Sequence, residues 1–159
     1  VGTLPLTGPM EYVEAPMARA YFDRVRNEMG VTIVPIEGAA ETLTEALRRG
    51  EAVGIVADRN IVGRGTAMQL FGGPVRLPIG PAMLSVQTGA PLFLEAIERT
   101  GPGEWLGHTI ALRAEPGAKR REATRQILEQ EVRAMERVIA RAPEQWTTLF
   151  FSIWEDDKA

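Results

Sequence analysis

The sequence has no cysteine and a single histidine, His108. No cysteine means no disulfide framework, no thiol nucleophile and no thiolate metal ligand, and one histidine cannot build a histidine-rich zinc site. Serine and lysine are nearly as scarce, being confined to Ser85, Ser152, Lys119 and Lys158. Neither serine sits in a GxSxG elbow and neither lysine follows a phosphate-binding glycine loop, which removes hydrolase triads and P-loops. Charge of one sign is also lacking: 18 basic against 21 acidic side chains leave a net charge of -3, and the arginines are scattered. A general nucleic-acid partner calls for collected positive charge, which is not there. The longest charge-free stretch, Leu77 to Leu94, is broken by Pro78, Gly80, Pro81, Gly89 and Pro91, and reads as two buried elements rather than a membrane span. No signal-peptide pattern opens the chain, whose first thirty residues carry charges throughout. A start at Val1 rather than Met reads as a fragment.

What is present is ordinary for a folded protein. Of 159 residues, 45% are hydrophobic and 25% charged, and 16 Gly with 11 Pro fall short of disordered or fibrous chains, so a single compact domain is expected over 1–159. Thr3 to Leu6 reads as a strand, and Ala18, Tyr21, Phe22, Val25 and Met29 fall at helical spacing between Pro16 and Gly30, predicting a helix with one buried face. Val31 to Ile36 is β-branched, Leu43 to Leu47 closes a second helix before Gly50, and Ala52 to Ala57 reads as a buried strand. Strand alternating with helix predicts α/β architecture, a mainly parallel central sheet flanked by helices. Further on come a short extended segment at Ala67 to Phe71 within loops, a helix opened by Gly80 and Pro81, and a strand at Pro91 to Ile97. An alternating strand at Trp105 to Arg113 and a long amphipathic helix from about Arg121 to Arg141 complete the pattern.

The strongest local feature for chemistry is AVGIVADRN, where a strand delivers Asp58, Arg59 and Asn60 to its carboxyl end, the place where open α/β sheets hold ligands. The plainer alternative is a turn capped by Asp58 and paired with Arg59. Arg64 and Arg76 lie among glycines whose amides could approach a phosphate, although such loops are also plain turns and GRG is no dinucleotide fingerprint. Arg24 and Arg26 fall on the helix side away from Phe22 and Val25, a solvated face. His108 stands mid-strand with no acidic residue at a fixed spacing, which makes it structural rather than a general base. Trp146, Phe150, Phe151 and Trp154 read as a satellite core, with a lipid or protein contact as the alternative.

The runs FDRVRNEMGVTIVPIEG, ALRRGEAVGIVADRNIVGRGTAMQLFGGPVRLPIGPAMLSVQTGAPL and RAPEQWTTLFFSIW resemble the lysophospholipid acyltransferase superfamily, in its branch of lipid A lauroyl/myristoyl and phosphatidylinositol mannoside acyltransferases. The resemblance spans nearly the whole chain, with the ADR(D/N), FG-P-R-P-GPA, TGAP and PEQW segments in the same order. It implies a glycerolipid-acyltransferase-like fold truncated at the N-terminus, and transfer of a fatty acyl group from acyl-CoA or acyl carrier protein to a hydroxyl of a membrane glycolipid or phospholipid. No cofactor or metal is implied. The expected place is the cytoplasmic face of the plasma membrane, held there by an N-terminal segment.

The family's general base is the His of an HxxxxD or HxxxxE motif, which would lie before Thr3. His108 does not supply it, because Arg113 stands five positions later. Matched by position, Asp58 is the acid that pairs with that His, and Glu11, Arg26, Arg59, Arg64 and Arg76 are substrate-binding. Asn60 replaces an acid, and Leu94 and Glu95 stand where a proline usually follows. The competing expectation is a non-catalytic α/β module binding a phosphorylated or acyl ligand. A fragment would also expose an apolar patch and an unpaired strand edge near Thr3 to Leu6 or at whichever strand borders the missing part.

Overall fold

The structure, a computed structural model, describes residues 4–11, 14–60, 65–146 and 153–154. The chain forms two compact units, Val1–Val56 and Ala57–Ala159.

In the first unit, strand β1 (Leu6–Met10) lies between β2 (Val31–Pro35) and β3 (Ala52–Val53), all parallel. The crossovers are helices α1 (Pro16–Glu28) and α2 (Ala39–Arg48). Pro16 opens α1 at a position where its missing N–H costs nothing, and Gly30 and Gly50 follow the helices with φ of 74° and 80°. Among the described residues the first strand begins at Leu6, Thr3 lying outside them, and it is central, with neighbours on both sides, not an edge. The expected strand Ala52 to Ala57 shrinks to two residues, and Val56 is 75% exposed. The reason is Pro9. Ala52 N–H donates to the Pro5 carbonyl and Gly54 N–H to the Thr7 carbonyl, and the next rung would need an N–H at Pro9, which has none. The two chains stay close at that point: a side chain at Gly8 would put Cβ 2.8 Å from the Gly54 carbonyl oxygen.

Helix α2 buries Ala39, Leu43, Thr44 and Ala46. Helix α1 buries nothing, contrary to its periodicity, and Met17, Tyr21, Phe22 and Met29 are exposed. Helix α1 meets chiefly the edge strand β2, whereas α2 lies across all three strands, and Tyr21 and Phe22 instead stack edge-to-face with centroids 5.6 Å apart.

The second unit is antiparallel. Strands β4 (Gly65–Leu70) and β5 (Gly73–Pro78) make one hairpin, and β6 (Leu92–Gly101) and β7 (Glu104–Leu112) another, with helix α3 (Gly80–Thr88) between them and α4 (Arg120–Ile139) after them. The molecule is thus mixed α/β, with three described strands parallel and four antiparallel. The β4–β5 hairpin was hidden in sequence. Its two-residue turn is Phe71–Gly72, both left-handed with φ of 50° and 79°, and Phe in that conformation costs roughly 1–2 kcal/mol, so the usual Asn-Gly signal is missing.

Helix α4 organises the core. Val132, Met135 and Ile139 pack with Leu70, Val75 and Leu77, while Ile127, Leu128 and Ala134 pack with Ala82 and Leu112. Each large aliphatic buried there contributes about 1.5–3 kcal/mol. The tail returns to this core as expected: Trp146, Ile153 and Trp154 pack against the first cluster, and Trp154 bridges to Val75. A side chain at Gly73 would place Cβ 2.7 Å from the Trp154 ring. Phe150 and Phe151 lie outside the described residues.

Candidate functional site

Glu11 and Arg26 belong to the first unit; Asp58, Arg59 and Arg76 belong to the second. Arg64 lies outside the described residues. Within the second unit, Asp58, Arg59 and Asn60 form a half-buried turn directly after Ala57. The Asp58 carboxylate accepts a hydrogen bond from the indole Nε1–H of Trp146, 3.2 Å away across 88 positions of sequence. Trp146 is held in turn by packing on the Leu70, Val75 and Leu77 cluster. The ADRN and PEQW segments are therefore one structural object. Sequence reasoning placed Trp146 in the core and missed its donor role, for which the only signal was an indole that must find an acceptor when buried.

Next to this turn, Asn60 and Arg76 crowd Gly65. A Cβ at Gly65 would stand 2.9 Å from the Asn60 Nδ2, from the Arg76 Cβ and from the Leu77 carbonyl oxygen, so only glycine fits. Arg76 donates from Nη1 to the Gly65 carbonyl at 3.1 Å, and the Asn60 Oδ1 is buried without a hydrogen-bond partner among the described residues. A buried acceptor without a donor is costly.

In the first unit, Glu11 lines a crevice of about 360 Å³ at the carboxyl ends of β1 and β2, together with Arg19, Asp23, Asn27 and Glu37. Arg19 and Asp23 approach to 3.8 Å across one helical turn. Arg26 is not on a solvated face. Phe22 and Arg26 are four residues apart and so share a side of α1, and the guanidinium carbon sits 5.2 Å from the Phe22 ring centroid. Its Nη1 is buried with no hydrogen-bond partner among the described residues.

His108 does have an acid beside it. Its Nε2 lies 2.9 Å from the Glu98 Oε2, which also accepts from the Arg141 Nε at 2.8 Å. Strand register supplies what linear spacing could not, because His108 faces Ala96 and Glu98 is its diagonal neighbour. Arg141, and then His108, hold the Glu98 carboxyl below the usual carboxylate range. The triad ties β6–β7 to the end of α4. Glu131 was not singled out by sequence either: it is buried on the apolar side of α4 with Oε2 unpartnered among the described residues, and burial pushes its carboxyl up to about 7.

Among the described residues, no group of three or more His, Cys, Asp or Glu could hold a metal ion, and no helix is long and apolar enough to cross a membrane.

The family of bacterial lipid A biosynthesis acyltransferases matches the chain over residues 10–151. A phosphatidylinositol mannoside acyltransferase of Mycobacterium tuberculosis (strain ATCC 25618 / H37Rv) is 38% identical over 72 residues, 43% of this chain and 23% of the relative. One of Mycolicibacterium smegmatis (strain ATCC 700084 / mc(2)155) is 30% identical over 93 residues, 56% of this chain and 31% of the relative. The chain thus spans less than a third of the length of these relatives.

Proposed function

The chain belongs to the bacterial lipid A biosynthesis acyltransferase family, and from that premise we propose that it takes part in moving a fatty acyl group from acyl-CoA or acyl carrier protein to a hydroxyl of a membrane glycolipid or phospholipid. The observation that carries this reading is the Asp58 carboxylate of the ADRN segment, fixed by Trp146 of the PEQW segment. In this reading Asp58 orients and polarises a histidine general base supplied by sequence outside these 159 residues. That base takes the proton of the acceptor hydroxyl as its oxygen attacks the thioester carbonyl. The new C–O ester bond forms, the C–S bond breaks, and the leaving thiolate takes up the proton.

Glu11 and Arg26 serve acceptor binding, and Arg59, Arg64 and Arg76 meet phosphates of donor or acceptor. No metal or further cofactor takes part, and the whole adopts a glycerolipid-acyltransferase-like fold at the cytoplasmic face of the plasma membrane. The mannosides of phosphatidylinositol, named in the relatives, are the first acceptors to try. Incubating the full-length protein with acyl-CoA or acyl carrier protein and such acceptors is expected to give the acyl ester, and the 159-residue chain alone is expected to give none. Turnover by this chain alone would overturn the external base and turn attention to His108. Ligand binding without turnover by the full-length protein would favour a non-catalytic binding module.

A further inference from the structure

Away from Asp58, which is not among its lining residues, a groove of about 760 Å³ runs between α4, β7 and the β4–β5 turn. Its polar wall carries Arg133 and Arg137, one helical turn apart and both exposed. Among the described residues Arg137 donates to the Arg133 carbonyl, at 3.3 Å, and neither guanidinium has a carboxylate partner. Elsewhere on α4, Arg125 is paired with both Glu122 and Glu129 and Arg120 donates to Gln87, while Arg121, without a carboxylate partner among the described residues, stands outside the groove lining.

The one acid in the groove, Glu136, is already engaged, because its Oε1 accepts the Phe71 amide at 2.7 Å. That bond fixes the strained turn in which Phe71 stands left-handed and 49% exposed at the rim. A strained, displayed aromatic held by a dedicated acceptor is a feature that packing alone does not require. Ile110, Ala111 and Leu112 contribute apolar wall.

We propose that this groove binds a phosphate ester carrying an apolar chain, with Arg133 and Arg137 on the phosphate and Phe71 against the apolar segment. Two guanidiniums a turn apart offer forked donors to a phosphate, and the aromatic rim gives the adjoining chain a place to leave water. Such a ligand reaches the protein either as soluble acyl-CoA or as an anionic phospholipid headgroup.

The test measures binding rather than turnover, so it stands apart from the fate of Asp58. The full-length protein, its Arg133→Gln/Arg137→Gln variant, its Phe71→Gly variant and an Arg125→Gln control are titrated with lauroyl-CoA, and separately with phosphatidylcholine vesicles with and without phosphatidylglycerol. The double variant is expected to weaken binding at least tenfold for one of these probes. Loss confined to lauroyl-CoA identifies the acyl donor, and loss confined to the anionic vesicles identifies the headgroup. Phe71→Gly is expected to weaken the same probe severalfold while leaving the melting temperature equal or higher, since glycine relieves the left-handed turn. Binding of both probes within twofold of wild type in the double variant, or an equal loss in Arg125→Gln, would overturn the proposal.

Discussion

The two units answer the same physical demand in different ways. In the second, α4 buries eight residues against two hairpins, so one helix supplies most of the core. In the first, α2 buries four residues while α1, with thirteen residues and a regular apolar stripe, buries none. The contrast teaches that helical periodicity reports a capacity to bury, not an occupant. On α1 the aromatic side chains stack on each other and lie under the guanidiniums of Arg24 and Arg26 instead.

The contrast can be broken by substitution. Ile127→Ala in α4 should cost about 2–5 kcal/mol in urea unfolding, because it leaves a cavity where both walls are fixed. Glu131 sharpens the point that α4 is a core helix. Its folded value, about 7, lies above the ordinary 4.5, so the folded state holds a proton that the unfolded state has lost. Stability should therefore fall as pH rises from about 4.5 through 7, by about 3 kcal/mol in all. Glu131→Gln should flatten that profile and gain most at pH 8; an unchanged slope between pH 5 and 8 would place the proton elsewhere.

Trp146→Phe keeps the ring on the core but removes the donor to Asp58, and should cost about 1.5–3 kcal/mol, as for a hydrogen bond to a charged group. A wild-type melting curve would show that the bond carries no stability. The smallest effect is expected at α1, where Phe22→Ala should cost less than about 1 kcal/mol, since the ring is exposed and loses chiefly its contacts with Tyr21 and Arg26. A cost like that of Ile127→Ala would mean that α1 is packed as α4 is.

Elements whose signals are local were legible in the sequence. Helix α1 ends before Gly30, α3 starts with Gly80 and Pro81 and stops at Gly89, and α4 follows its stripe to Ile139. What escaped depends on partners distant in sequence. The shortening of β3 is decided by Pro9 on another strand, and the β4–β5 hairpin turns on a left-handed Phe that no turn rule favours. At the candidate site, the position of Asp58 after a strand-like run was readable, but its bond to Trp146 was not. Arg26 lies four residues after Phe22 and so on the same side of α1, which sets it over the ring rather than on a solvated face, while the Glu98 beside His108 becomes visible only once β6 and β7 are in register.

Asp58, held by Trp146, is proposed to serve acyl transfer rather than merely to cap a turn. The most direct measurement is kcat/KM for acyl transfer to a phosphatidylinositol mannoside by the full-length protein, with Asp58→Ala compared with wild type and the melting temperature recorded for both. A polarising carboxylate predicts a fall of about 100-fold or more, carried in kcat, with the melting temperature within a few degrees of wild type. Activity within threefold of wild type in a folded Asp58→Ala protein would contradict the account.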